Sequence, residues 1–410
     1  MAQKKMPELL IPASSLEVLK VAVSYGADAV YIGGEAFGLR AKAKNFTMSE
    51  MREGIEFAHE RGVKVYVTVN ILAHNKDIDE ARIYLRELAE VGPDGLIIAD
   101  PGIFVLAGEE CPGIERHIST QANNTNYETC LFWHRLGATR IVTARELSLE
   151  EIREIRERIP KELELETFVH GAMCISYSGR CLLSNFLTGR DANQGACTHP
   201  CRWKYAVVEE TRPGEYMPVY ENERGTYIFN SRDLCMIEHL PDLLDAGVNS
   251  LKIEGRMKTA LYVATVARTY RKALDDLAVS REKYLENMDW YLDQISNCTY
   301  RRFTTGFFYG KPGAGEQIYD SNTYIKEYTY LGMISGKDDA GRYIVEQKNK
   351  FCCGDIIEIM KPDGSNPTIE VKGIYDAEGN SMESAPHARQ ELHLDLDADL
   401  SLYDILRVKC

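Results

Sequence analysis

Two hydrophobic periods alternate along the first two thirds of the chain. Short apolar runs of strand length give way to stretches in which apolar residues recur every three or four positions, and the alternation repeats through residues 1–275. Residues 9–13 read as a first strand. Ser14 with Glu17 forms a capping-box pattern that opens an amphipathic helix ending at Gly26, and AVYIG follows as the next strand. Thr47 with Glu50 opens a helix ahead of VKVYVTVN, and Ser148 with Glu151 opens another that stops at Pro160 ahead of LELETFVH. Gly26, Gly92, Gly137 and Gly247 each fall between a helix and a strand, where a left-handed residue ends the helix. Eight strands are predicted, at 9–13, 29–33, 63–70, 95–100, 116–121, 140–146, 163–171 and 250–255. Strand and helix alternating eight times predict an α/β fold, a closed TIM-like (β/α)8 barrel over 1–275, with a doubly wound open sheet as the alternative.

The stretch between the seventh and eighth strands is too long for a simple loop. Residues 172–230 read as a cysteine-rich insertion, with the cysteines at 174–201 followed within it by short hairpin strands in YAVVEE, MPVYENE and TYIFN, and turns at Pro213-Gly214 and Arg224-Gly225. A helix at 234–246 then resumes the barrel. Beyond the eighth strand, TALYVATVARTYRKALDDLA and EKYLENMDWYLDQI read as two amphipathic helices, and RRFTTGFFYGKPGAG as a glycine-broken connection, so 276–322 forms a helical linker. The period then changes. YTYLGMIS, RYIVEQK, DIIEIMK, TIEVKGIY, HLDLD and ILRVKC predict a small C-terminal β-barrel domain over 323–410.

Charge narrows the function classes. The 410 residues carry a net charge of −14, which argues against indiscriminate nucleic-acid binding. The C-terminal stretch from 315 to 410 is itself acidic, with 10 basic and 18 acidic residues, and suits packing or interaction better than an RNA platform. MAQKKMPELLIPA runs directly into a strand with no apolar stretch or cleavage site, and nothing approaches a membrane span, so a cytoplasmic protein with reduced thiols and no membrane partner is expected.

Four of the eleven cysteines, Cys174, Cys181, Cys197 and Cys201, fall within twenty-eight residues. Four thiolates with no required histidine suit either a tetrahedral zinc or an iron–sulfur cluster. Between Cys174 and Tyr205 the charge reverses to +3, from Arg180, Arg190, Arg202 and Lys204 against Asp191, which would stabilise an anionic cluster. Only Cys197 and Cys201 resemble half of a zinc knuckle pair, and Leu182, Leu183, Phe186 and Trp203 could keep such a site dry. Cys111, Cys130, Cys298, Cys352, Cys353 and Cys410 have no partner spacing and read as ordinary thiols.

ETFVHGAMCISYSGRCLLS, with SLEVLKVAVSYGADAVYIGG, HISTQANNTN, GACTHPCRWKY and SLKIEGRMK, resembles peptidase family U32, the collagenase-like proteases. The resemblance implies a [4Fe-4S] cluster, which members acting as hydroxylation factors carry on cysteines of this block. The Cys-x-x-x-Cys-Arg-Trp motif and the C-terminal extension are similar to a subgroup that hydroxylates the wobble uridine of tRNA at position 5. That subgroup works without molecular oxygen, with prephenate as the apparent hydroxyl source. Carried over, the ligands are Cys174, Cys181, Cys197 and Cys201, with Cys235 competing for a position. The implied partners are tRNA, a small dicarboxylate such as prephenate, and a homologous partner subunit. Two other readings stay open, a collagenase-like peptidase and a non-catalytic scaffold for iron–sulfur or tRNA. The chain has no HExxH helix and no GxSxG elbow, and SYSGR is a near miss, although a cysteine nucleophile with His170 is conceivable.

Barrel geometry supplies the remaining candidates, because residues at the C-terminal ends of the strands share one mouth. By position these are Glu35, Arg40, Asn70, Asp100, Gln121, Asn123, Arg145, His170, Lys252, Glu254 and Arg256. Strand parity puts Glu166, Phe168 and His170 on one face of the seventh strand, and His117, Ser119 and Gln121 on one face of the fifth. Glu166, His170, Arg145 and Lys252 are the catalytic candidates. Arg40, Asn70, Gln121, Arg145 and Arg256 are the substrate-binding ones, since a dicarboxylate would need bidentate forks from arginine.

Overall fold

The structure is a computed structural model and describes residues 6–38, 45–173, 183–190, 197–198, 200, 206–207, 217–218, 230–298, 300–310, 317–318, 326–387 and 389–410. The chain divides into two compact units. The first comprises Met1–Leu19, Ala27–Lys258 and Arg301–Tyr324, the second Lys20–Gly26, Thr259–Tyr300 and Ile325–Cys410.

In the first unit eight parallel strands form a ring: β1 Glu8–Pro12, β2 Ala29–Gly33, β3 Lys64–Val69, β4 Gly95–Ile98, β5 Glu115–Ile118, β6 Arg140–Val142, β7 Glu164–Ala172 and β8 Ser250–Ile253. Each pairs with the next, and β8 pairs with both β7 and β1, which closes the barrel and rules out the open doubly wound sheet. Local signals set the helices. The capping boxes of Thr47 with Glu50 and Ser148 with Glu151 both form. The first helix, Leu16–Ser24, starts later than the Ser14 and Glu17 pattern predicts, with Ser15 Oγ accepting from the Val18 amide at 3.4 Å. All four helix-ending glycines, 26, 92, 137 and 247, have positive φ.

The strand β7 outruns its neighbour. After pairing with β8 through His170, its last three residues pair antiparallel with Asp233–Cys235, and Phe303–Thr304 joins that strand in parallel. The predicted helix over 234–246 is therefore corrected to a strand at Asp233–Cys235 and a short helix, Leu240–Asp245, with a proline in its first turn. The overhanging edge of β7 needs hydrogen-bond partners, and that demand decides what the apolar run DLCMI becomes. Of the insertion, Ala206–Val207 and Met217–Pro218 form an antiparallel pair.

The second unit holds three helices, Ala260–Val279, Arg281–Glu286 and Met288–Ser296. The predicted second helix is thus two, interrupted at Asn287. The first of the three runs through the boundary expected at 275/276. Its buried Arg268 donates to the carbonyl of Lys361 at 2.9 Å, to Asn366 Oδ1 at 2.9 Å and to Gln294 Oε1 at 2.5 Å, which makes these helices part of the unit's packing. Tyr25 adds to it, donating to the carbonyls of Met360 and Tyr403. Six antiparallel strands, Tyr328–Lys337, Tyr343–Gln347, Ile356–Met360, Thr368–Tyr375, Glu391–Leu396 and Ile405–Lys409, form a closed barrel around Val345, Ile359, Val371, Ile374, Leu392 and Leu406. Among the described residues no helix is long and apolar enough to cross a membrane.

Candidate active site at the mouth of the barrel

Most barrels of this type fill their interior with branched apolar side chains. Here Leu10, Ala29, Tyr31, Tyr66 and Ile97 make such a cluster, but charged groups share the interior with it. The Arg140 guanidinium lies 2.6 Å from Glu8, 2.5 Å from Glu164 and 3.1 Å from Glu166. Tyr66 and Ser250 donate to Glu8 at 2.8 and 2.9 Å. The other oxygen of Glu166 is 2.6 Å from Lys252 Nζ. Glu166 is fully buried, and burial alone would neutralise it. Lys252 and Arg140 outweigh that cost and hold the carboxyl below the usual carboxylate range. Burial pulls the Lys252 amine below its ordinary value, against the opposing pull of Glu166. His117 is pushed down by burial and sits edge-on to Tyr66, with ring centroids 4.7 Å apart.

This arrangement fixes a pH dependence. A carboxyl depressed in the folded state contributes stability that is complete above its unfolded value of about 4.3 and is lost as pH falls through the folded value. Glu166→Gln is therefore expected to be far less stable than wild type at pH 7, with the gap closing at acid pH. Thermal midpoints of the two proteins across pH 3–8 test this, and a gap independent of pH would contradict the ionised assignment.

Above the ion network, two arginines among the described residues stand at the mouth. Arg145 Cζ lies 3.8 Å from the Phe168 ring centroid, and its nitrogens reach the carbonyl of Ala172 at 2.6 Å and Glu254 at 3.3 Å. Arg256 is 4 % exposed and donates to Thr68 Oγ1 at 2.9 Å and Asn45 Oδ1 at 3.1 Å. It passes directly over β2, where a β-carbon at Gly33 would overlap its guanidinium. Gly33→Ala pushes this guanidinium off Thr68 and Asn45 and should cost about 1–3 kcal/mol through those hydrogen bonds, read from urea unfolding of the full chain. An unchanged midpoint would mean that Arg256 lies elsewhere. Asn70 donates to Gln121 at 3.1 Å, linking the ends of β3 and β5.

The predicted residues do not all converge. Lys252, Glu166, Arg145 and Phe168 form one group, Arg256 is held by Thr68 and Asn45, and Asn70 and Gln121 form a pair; Arg40 lies outside the described residues. The parity argument fails for His170. The β7–β8 register slips between Lys252 and Ile253, and Gly171 follows with φ of +106°. His170 consequently pairs with Ile253 and Cys235 and packs against Phe303 at 5.6 Å, away from Glu166 and Phe168. Burial and the nearby Lys258 push its pKa down to about 3. Asp100 caps the helix Pro101–Glu110, Asn123 is the left-handed cap of the turn Thr120–Ala122, and Glu35 is exposed. Sequence reasoning missed Glu8, Arg140, Tyr31 and Thr68. The pair Glu164 and Glu166 in a strand expected to be buried is the available signal, since such acids demand interior cations.

A match to the model of Peptidase family U32 covers residues 14–318, and one to the Peptidase family U32 C-terminal domain covers 326–407. The chain belongs to peptidase family U32. It is 41 % identical over 404 residues to tRNA hydroxylation protein P1 of Bacillus subtilis, spanning 98 % of this chain and 95 % of that one. It is 38 % identical over 436 residues to tRNA hydroxylation protein P of Escherichia coli, spanning 97 % and 95 %. A further relative, the 23S rRNA 5-hydroxycytidine C2501 synthase of Escherichia coli, is 35 % identical over 322 residues, covering 78 % of this chain and 47 % of the synthase.

The cysteine-bearing segment begins two residues beyond Ala172, the last residue of β7, whose carbonyl accepts from Arg145. Cys174, Cys181 and Cys201 lie outside the described residues. Cys197 is half-buried, and its neighbour Thr198 donates its amide to Ser184 Oγ at 3.1 Å, tying it to the helix Leu183–Thr188. Cys235 is buried opposite His170, on the strand that closes the excursion. Four thiols from one segment match a tetrahedral zinc or an iron–sulfur cluster in donor chemistry.

Proposed function

We propose that this U32 protein is an RNA-modifying hydroxylase that acts on the wobble uridine of tRNA, installing a hydroxyl at position 5 without molecular oxygen. The observation that carries the reading is similarity along nearly the whole chain to tRNA hydroxylation proteins of two bacteria. The mouth of the barrel supports it. Arg145 and Arg256 offer guanidinium forks suited to a small dicarboxylate such as prephenate, the proposed hydroxyl source, while Asn70 and Gln121 offer amide groups to a base edge. Arg180, Arg190, Arg202 and Lys204 of the cysteine block supply the cations that a phosphate backbone needs in an otherwise acidic chain.

Cys174, Cys181, Cys197 and Cys201 would hold a [4Fe-4S] cluster, with Cys235 as the alternate fourth ligand and zinc as the other metal such thiolates suit. When bound, the cluster supplies one-electron transfer. The protein's own residues orient and enclose. Phe168 and Tyr31 exclude water beneath the acid, and Lys252 with Glu166 holds a proton at the floor of the site. The geometry favours proteolysis less, because His170, the base that a cysteine peptidase would need, is buried against Phe303. A cytoplasmic location and a homologous partner subunit belong to this reading. Mass spectrometry of tRNA nucleosides from a strain lacking the gene should show 5-hydroxyuridine derivatives falling to background. Unchanged levels in the absence of a second homologue would refute the proposal.

A further inference from the structure

We infer that Lys252 forms an imine with an α-keto carboxylate bound in the barrel mouth, with Glu166 as its proton partner and Arg145 holding the carboxylate. The inference rests on the reading of the mouth as the site for a small acid, and it adds the keto group and a covalent step. Lys252 Nζ sits 2.6 Å from Glu166 Oε1 and 4.4 and 5.5 Å from the ring centroids of Tyr31 and Phe168. Its ammonium form is thus enclosed by aromatic faces and touches one base. Arg145 lies 3.8 Å from the centroid of the same Phe168 ring, so amine and guanidinium share one aromatic neighbour. The Arg145 side chain is 10 % exposed, pinned by Ala172 and Glu254, and its Nε is buried with no hydrogen-bond partner among the described residues. Both terminal nitrogens of Arg145 are engaged and its Nε is the donor left over, so a carboxylate adjacent to a carbonyl would supply the acceptor that this nitrogen lacks beside a buried amine. Burial lowers the proton affinity of Lys252, which favours the amine needed for attack.

The step balances within the pair. Glu166 accepts the ammonium proton, and the free amine forms a C–N bond to the keto carbon. The carbinolamine hydroxyl then takes the proton back from Glu166 and leaves as water as the C–O bond breaks. One ammonium and one ketone become one iminium and one water, with no change in oxidation state. The cation beside Glu166 is conserved, so no buried charge is orphaned on either side of the step.

Incubation of the purified full-length protein with pyruvate or phenylpyruvate and sodium cyanoborohydride, followed by peptide mass spectrometry, tests the inference. Lys252 should carry the reduced adduct at least tenfold above any other lysine, and Arg145→Ala should lower that yield at least tenfold. Absence of an adduct on Lys252, or uniform labelling of surface lysines, overturns it without recourse to a variant. Lys252→Arg keeps a cation beside Glu166 and should abolish 5-hydroxyuridine formation. If Lys252→Arg restores full modification to the deletion strain, the imine fails and the hydroxylase reading stands. If the deletion strain never loses the modification, the hydroxylase reading itself fails.

Discussion

Replacing Cys197 with serine is expected to bleach the anaerobically purified protein, remove its iron and lower 5-hydroxyuridine in tRNA by on the order of a hundred-fold or more, because losing a ligand costs at least as much as losing the groups that support one. Serine keeps the size of the side chain but cannot supply a thiolate at neutral pH, so the loss reports ligation and not packing. Cys197 is half-buried and its neighbour Thr198 anchors to Ser184, so the peptide should hold its place without the sulfur. The parallel changes Cys201→Ser and Cys235→Ser identify the fourth ligand, since the one that retains iron is the spectator. A Cys197→Ser protein that stays brown and modifies tRNA at the wild-type rate would eliminate Cys197 from the ligand set.

Glu166→Ala should destabilise the chain by about 3–5 kcal/mol at pH 7, the range for a buried charge deprived of its partner. The estimate follows from the arrangement of the ion network. Arg140 keeps Glu8 and Glu164 at 2.6 and 2.5 Å, whereas Lys252 loses the carboxylate at 2.6 Å that faces it. Most of the cost therefore falls on Lys252. The double change Glu166→Gln with Lys252→Met should be much milder, because it removes the charge together with its counter-charge, and a double-mutant cycle isolates that coupling. Additive effects of the two single changes, measured by urea unfolding, would mean that the two side chains do not interact.

Features decided by neighbours in sequence could be read from the chain alone. The capping boxes at Thr47 and Ser148 close over three residues, and the glycines ending four helices mark their own left-handed turns. The six C-terminal strands follow from period-two alternation, and their ranges need little adjustment. Features decided by distant partners could not. Arg140 meets Glu8 across 132 positions and Arg256 meets Thr68 across 188, so each looked like an ordinary strand residue. His170 was assigned to the inner face because parity assumes an unbroken ladder, and the register slip against Ile253 breaks it. The run from Leu234 predicts helix, because a short apolar segment has no period of its own, and only the overhang of β7 makes Asp233–Cys235 a strand. Gln121 and Arg145 were expected inside strands, but the ladders end at Ile118 and Val142, which leaves both side chains in the connections that form the rim.

The antiparallel pairing of Ala172 with Asp233 brings the exit and the return of the cysteine-bearing excursion side by side on the barrel rim. A chain that leaves and re-enters a scaffold at one hydrogen-bonded step is topologically a long hairpin, and its contents can be exchanged without moving either foot. The barrel can therefore serve as a socket: a tight turn grafted from Ala172 to Asp233 is expected to leave a folded cylinder.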